Sequence, residues 1–141
     1  MKFDVLNCSA DDSNYICDRL VDYNLSKVPK TQPIAFVEIN KKITDENNRI
    51  IAGCLAKMYC WSIIYIDILW VDEAYRKQGL GTKLLKEIEK IASHEQCSLI
   101  HLDTFDFQAK DFYVKQGYEV FGILEDCPEN HCRYYLKKKL R

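Results

Sequence analysis

The hydrophobic pattern of this chain switches between two periods, and each switch marks an element. Residues 3–6 form a short apolar run that reads as a strand. Behind Asp11, Asp12 and Ser13, any of which can cap a helix start, Ile16, Leu20 and Tyr23 recur at helical spacing. Pro29 and Pro33 fix their own φ and push their predecessors to extended backbone, so residues 27–33 read as a loop. Residues 34–40, 49–59 and 63–71 are rich in β-branched and aromatic side chains, and Asp45-Glu46-Asn47-Asn48 supplies turn chemistry between the first two. An antiparallel meander is predicted there. The period then becomes helical through Leu84, Leu85, Ile88, Ile91 and Ala92, and residues 98–104 return to a strand pattern. Such a strand-helix-strand unit pairs its strands in parallel through a right-handed crossover. Ala109, Phe112, Tyr113 and Gln116 mark a shorter helix that Gly117 caps, and residues 118–124 and 133–140 close the fold as two more strands. The whole chain, residues 1–141, reads as one α/β domain of the α+β kind.

Chemistry concentrates where the third meander strand enters the first long helix. The segment reads Leu69-Trp70-Val71-Asp72-Glu73-Ala74-Tyr75-Arg76-Lys77-Gln78-Gly79-Leu80-Gly81-Thr82-Lys83. Gly79 and Gly81 lack Cβ and let a ligand approach backbone N–H groups closely. Arg76, Lys77 and Lys83 add positive charge beside a helix N-terminus, where unpaired amides and the helix dipole favour an anion. A phosphate-bearing ligand is expected. A P-loop is excluded because one residue, not four, separates the glycines. A dinucleotide fingerprint needs a glycine at position 84, where leucine stands.

These residues resemble a known motif. Arg76-Lys77-Gln78-Gly79-Leu80-Gly81 is similar to the Gln/Arg-x-x-Gly-x-Gly/Ala acetyl-CoA-binding motif of the GNAT superfamily of N-acetyltransferases. Gln108-Ala109-Lys110-Asp111-Phe112-Tyr113-Val114-Lys115-Gln116-Gly117-Tyr118 resembles that family's Ala-x-x-x-Tyr-x-x-x-Gly-Phe/Tyr block. The likeness spans roughly residues 33–140. It implies the GNAT fold: a central mixed, mostly antiparallel sheet whose parallel fourth and fifth strands splay apart, with flanking helices. In that wedge the pantetheine arm of acetyl-CoA would pair with strand backbone at Leu69, Trp70 and Val71, much as an added strand would. The resemblance assigns Arg76, Lys77, Gln78, Gly79, Leu80, Gly81 and Thr82 to the cofactor, with Tyr113 touching it as well.

The implied reaction is direct transfer of the acetyl group to a primary amine in a ternary complex. The amine must be neutral, the oxyanion needs a donor, and the departing thiolate benefits from a proton. By resemblance, a backbone N–H near Leu69 or Val71 serves the oxyanion and Tyr113 is the general acid. From periodicity alone, Tyr113 would be a packed core residue with a local partner for its hydroxyl. For the base, Asp67 and Glu38 are carboxylates inside otherwise apolar strands, which is costly unless they are paired or face a cavity. A carboxylate on the solvent side of an antiparallel strand is equally ordinary. Asp103 and His131 are candidates for contact with the acceptor. Many members of the family carry Asn where this chain has Asp106, so the contact usually made by that asparagine does not carry over.

Composition narrows the classes. With 141 residues, 48% hydrophobic, 29% charged and a net charge of −1, the chain exerts no global pull on nucleic acid or anionic membrane. The basic end Lys137-Lys138-Lys139-Leu140-Arg141 reads as a solvated strand terminus rather than a nucleic-acid site. Seven cysteines, an odd number without a C-x-x-C, fit free thiols in a reducing compartment. Cys127, His131 and Cys132 match no common zinc spacing, and no metal is expected. With no apolar run long enough to span a bilayer and no leader pattern, a cytoplasmic enzyme is expected. Its partners are a small-molecule amine, such as a polyamine, amino sugar or antibiotic, and, by resemblance, a second copy in a homodimer. A noncatalytic acetyl-CoA sensor or interaction module, and a protein or peptide amine acetyltransferase, are the competing readings.

Overall fold

A computed structural model describes residues 2–141. Helix α1 (Ala10–Lys27) starts at Ser9, whose side chain accepts the Asp12 N–H while Asp12 accepts the Ser9 N–H, a reciprocal capping box. The cap therefore lies just ahead of the three candidates named from sequence. The expected strand at residues 3–6 does not form. Phe3, Val5 and Leu6 lie exposed on irregular backbone, because so short a segment has no stability without a neighbouring strand to pair with.

The sheet begins instead with the meander β1 (Phe36–Thr44), β2 (Ile50–Tyr59) and β3 (Ile63–Val71). Asp45 builds the first turn by accepting the N–H groups of Asn47 and Arg49 at 2.8 and 3.0 Å. After β3 come α2 (Leu80–His94), β4 (Leu99–Phe105), α3 (Lys110–Lys115), β5 (Glu119–Glu125) and β6 (Cys132–Lys139). Gly117 follows α3 at φ +94°, the left-handed conformation in which helices commonly end.

Strand order is β1-β2-β3-β4-β6-β5, antiparallel throughout except for the parallel β3–β4 pair. The pair that splays is thus the third and fourth strand of this chain, one lower in the count than expected, because the first predicted strand is missing. The core lies on one face of the sheet. Leu84, Leu85, Ile88 and Ala92 of α2 pack there among Ala52, Cys54, Ile64, Ile66, Ile100 and Leu102, all but excluded from water. Among the described residues no helix lies over the other face. Tyr59, Tyr65 and His101 cluster there, with the Tyr59 hydroxyl 2.7 Å from His101 Nε2. Among the described residues, too, no helix is long and apolar enough to cross a membrane.

Candidate active site

A bulge opens the site. Leu55 pairs with Ile68 but Ala56 with Ile66, so Asp67 is an extra residue in β3. An inserted residue bends the strand and raises its twist. Pairing between β3 and β4 stops at that step, its last partners being Ile66 and Leu102. Beyond it β3 runs on against β2 to Val71, while β4 runs on against β6 to Phe105. The backbone of residues 67–71 is left as an internal edge along a wedge, with N–H and C=O groups available to a ligand chain of amides.

The basic turn closes the end of the wedge. Asp72 accepts the Ala74 N–H at 2.9 Å and caps the short 3-10 turn Glu73–Tyr75. Arg76 Nε donates to the Val71 carbonyl at 3.3 Å, which ties the turn to the strand end. Lys77 and Gly79 both take left-handed backbone, at φ +66° and +78°. Gly79 is the N-cap of α2 and brings no side-chain cap, and Lys83 N–H to Gly79 C=O is the first bond of that helix. The amides of Leu80, Gly81 and Thr82 therefore have no helical partner, and no acidic residue occupies the first turn. Gly81 is not left-handed. A Cβ there would stand 3.5 Å from Phe112 Cζ and 3.9 Å from Val71 Cγ2, in ordinary contact, so these neighbours limit the position to a small side chain.

These pieces surround a cleft of about 580 Å³. Leu69, Trp70 and Val71 line it from β3, and Arg76, Lys77, Gly79, Leu80, Gly81 and Thr82 from the turn and α2. Tyr113 lines it from α3, whereas Gln78 is not part of the lining. Tyr75, Phe107, Gln108, Ala109 and Phe112 complete the walls and were not named as site residues from sequence. Phe112 had a signal in its place beside Tyr113. Phe107 had a weaker one, as an aromatic residue in a turn next to Asp106. Gln108 shapes that turn by accepting the Phe105 N–H at 2.8 Å, and Gln116 links α3 to α2 through Thr82 Oγ1 at 3.3 Å.

Tyr113 is 5% exposed, with its ring edge-on to Phe112 and Tyr118. Burial, and then negative charge at Cys54 and Asp103, push its phenol above the ordinary range. The hydroxyl holds its proton at neutral pH, as a general acid must.

The carboxylates separate by environment. Asp103 accepts the Tyr65 hydroxyl at 2.8 Å and Arg133 Nε and Nη2 at 3.0 and 2.6 Å, so its lone pairs are already engaged. Glu38 stands exposed on β1 with Lys57 as its cross-strand neighbour, and β2 separates it from the wedge. Asp67 is exposed at the bulge where the wedge opens. His131 Nδ1 lies 2.9 Å from Asp106 Oδ1, and its ring is edge-on to Phe107 on the rim of the cleft. Asp106 also accepts the Cys132 N–H at 2.9 Å, and this backbone bond is the main cause holding its carboxyl below the usual range. It thereby fastens the β5–β6 connection to the cleft.

Three tyrosines around the site resist ionisation. Burial first, then the hydrogen bond to Asp103, push Tyr65 up to about 12 from its ordinary 10.0. Burial also raises Tyr113 and Tyr118, the latter donating to Glu89 at 3.0 Å. A phenol whose folded pKa is raised stabilises the fold fully below its unfolded pKa and loses that contribution as pH rises towards the folded value. Stability is therefore expected to fall above about pH 10, with the phenolate absorbance of these residues appearing together with unfolding. A spectrophotometric titration read beside circular dichroism checks this; all nine tyrosines ionising near their ordinary value in a folded protein would contradict it.

All seven cysteines are free, and among the described residues no group of three His, Cys, Asp or Glu side chains is placed to hold a metal ion.

Comparison with known proteins agrees with this geometry. Residues 13–118 match the model of the acetyltransferase (GNAT) family. An acetyltransferase of Bacillus cereus has a crystal structure that superposes with a TM-score of 0.88 over 98% of both chains at 38% identity. Blasticidin-S acetyltransferase of Streptomyces morookaense is 35% identical over 91 residues, covering 64% of this chain and 67% of its own. An acetyltransferase of Agrobacterium fabrum is 27% identical over 136 residues, 96% of this chain and 95% of its own.

Proposed function

Since this chain belongs to the acetyltransferase (GNAT) family and is an acyltransferase, we propose that it moves the acetyl group of acetyl-CoA directly to a primary amine of a small molecule. The observation that carries the reading is the wedge itself. It sets an internal strand edge, a helix N-terminus with three unpartnered amides and a buried protonated tyrosine around one cleft.

In this reading the pyrophosphate sits on the amides of residues 80–82, with Arg76 and Lys77 adding charge. The two amides of pantetheine pair with the free edge of residues 69–71, which leads the thioester to the bulge. A backbone N–H of that edge, at Leu69 or Val71, receives the charge that develops on the thioester oxygen. Asp67 takes the proton of the incoming ammonium, directly or through water, and the neutral amine attacks the carbonyl carbon. As the tetrahedral intermediate collapses, the carbon–sulfur bond breaks, Tyr113 gives its proton to the thiolate, and the second proton of the former amine nitrogen returns to the Tyr113 phenolate, which leaves a neutral amide and free CoA thiol. Asp67 is preferred over Glu38 because it is the bulge residue at the point where β3 leaves β4, whereas β2 separates Glu38 from the wedge. Asp103 acts by holding Tyr65 and Arg133, and His131 marks the rim that an acceptor crosses.

An amine-bearing antibiotic heads the acceptors to try, because the Streptomyces relative is a blasticidin-S acetyltransferase. The test is release of CoA thiol from acetyl-CoA with blasticidin S, aminoglycosides, polyamines, amino acids and lysine peptides offered separately. Turnover with one class of small amine is expected. Turnover confined to peptides would replace the small-molecule acceptor, and tight acetyl-CoA binding without turnover on any amine would favour a sensor.

A further inference from the structure

Helix α3 carries Tyr113, yet it is six residues long and no side chain caps its start. That falls well short of the roughly 12–15 residues at which an isolated helix is even marginal in water, so the place of its tyrosine depends on what holds the helix from outside. Two polar links reach its C-terminal end. Gln116 Nε2 donates to Thr82 Oγ1 of α2 at 3.3 Å, and Lys138 Nζ of β6 donates to the Gln116 carbonyl at 3.0 Å. The basic end of the chain reads from sequence as a solvated strand terminus, and Lys138 departs from that reading: its side chain is 25% exposed, whereas Lys139 beside it stands in water.

The same ammonium binds a second helix. It donates to Glu89 Oε2 at 2.9 Å, and that oxygen also accepts the Tyr118 hydroxyl at 3.0 Å. Glu89 lies on α2 seven residues past Thr82, two turns behind the anion cradle, with its side chain 13% exposed. Lys138 Nζ stands 5.4 Å above the Tyr118 ring, and that ring meets the Tyr113 ring edge-on at 5.9 Å. The Tyr118 N–H returns to the Tyr113 carbonyl at 3.0 Å. The lysine stem runs along Gly117, whose Cβ would stand 3.5 Å from Cε and Nζ. One cation thus joins α2, α3 and β6 at the carbonyl end of α3, where unpaired C=O groups favour positive charge. A neutral side chain of the same length would fill the space without bonding both the carbonyl and the carboxylate.

We infer that Lys138 is a positioning residue for acetyl transfer, fixing the end of α3 against α2 so that the Tyr113 hydroxyl meets the sulfur of a thioester whose pyrophosphate α2 holds. The inference rests on the reading of Tyr113 as general acid. Lys138 touches neither substrate nor cofactor and acts through the backbone of α3 and the Tyr118 ring. A displacement of about 1 Å at a reacting group can cost about a hundredfold in rate, so a clasp behind the cleft is enough to govern turnover.

The experiment is steady-state thiol release from acetyl-CoA, with blasticidin S or whichever amine of the panel above turns over fastest. Lys138→Met keeps the stem and loses the ammonium; it is expected to lower kcat about tenfold with KM for acetyl-CoA within about twofold, and Lys138→Arg to recover most of the loss. Added to Tyr113→Phe, Lys138→Met should cost less than about twofold more, because it acts through that hydroxyl. Lost stability is separated by combining Lys138→Met with Glu89→Gln. Removing both charges restores the melting temperature, while kcat stays low because the Gln116 carbonyl is still unheld. Parental kcat in Lys138→Met, a full further loss on top of Tyr113→Phe, or a kcat that recovers together with the melting temperature would each overturn the inference and leave Tyr113 as the acid. Parental kcat in Tyr113→Phe would remove the acid reading, and this inference with it.

Discussion

Tyr113→Phe is expected to lower kcat by about 100-fold, the scale typical of a lost general acid, while the dissociation constant for acetyl-CoA stays within about twofold. The separation of the two effects is what identifies the role. Tyr113 sits 5% exposed between Phe112 and Tyr118, and phenylalanine keeps the ring and those edge-on contacts. What it loses is one proton at the cleft. The raised phenol also fixes the pH behaviour: the acid stays protonated beyond its ordinary 10.0, so Tyr113 itself causes no loss of rate on the alkaline side below that point. Steady-state kinetics paired with calorimetric titration of acetyl-CoA measures both quantities. A variant with parental kcat would assign Tyr113 to packing alone.

Replacing Gly81 by valine should do the converse, weakening acetyl-CoA binding while the fold remains. A Cβ at this position, 3.5 Å from Phe112 Cζ and 3.9 Å from Val71 Cγ2, would make ordinary contact, so alanine fits with little change. Valine adds two methyl groups that must enter the gap between the first turn of α2, the Phe112 ring and the strand end. Overpacking of that kind costs about 1–3 kcal/mol. If it is spent at the cleft, acetyl-CoA binding weakens by roughly ten- to a hundredfold. The graded pair is the test, with calorimetry for affinity and thermal melting for stability. Equal affinity for parent, alanine and valine forms would mean that no ligand passes this turn.

Much of the cleft was legible in the chain because its parts are local. The glycines, the basic residues and the strand end lie within fifteen consecutive positions, Leu69 to Lys83. Helix N-terminus chemistry depends on near neighbours, and so does a left-handed residue such as Gly79. The two glycines nevertheless differ: Gly79 takes a left-handed backbone, whereas Gly81 sits where neighbours limit side-chain size, a limit set by Phe112, thirty-one positions away. The carboxylates show the opposite case. Asp67, Glu38 and Asp103 look alike as acidic residues in apolar strands, and their partners decide between them. Asp103 is engaged by Tyr65 and Arg133, Glu38 lies beyond β2, and Asp67 is the bulge residue.

The sequence by itself determined the order of strands and helices from the meander onward, the anion cradle at the start of α2 and the family, because periodicity, capping and short motifs are properties of adjacent residues. Only the tertiary structure decided where β3 leaves β4, which aromatic residues wall the cleft, which carboxylate is free and where α1 points. Each of these depends on a pairing between residues far apart in the chain: Ile66 with Leu102, Gly81 with Phe112, Asp103 with Arg133, and Trp61 with Val28.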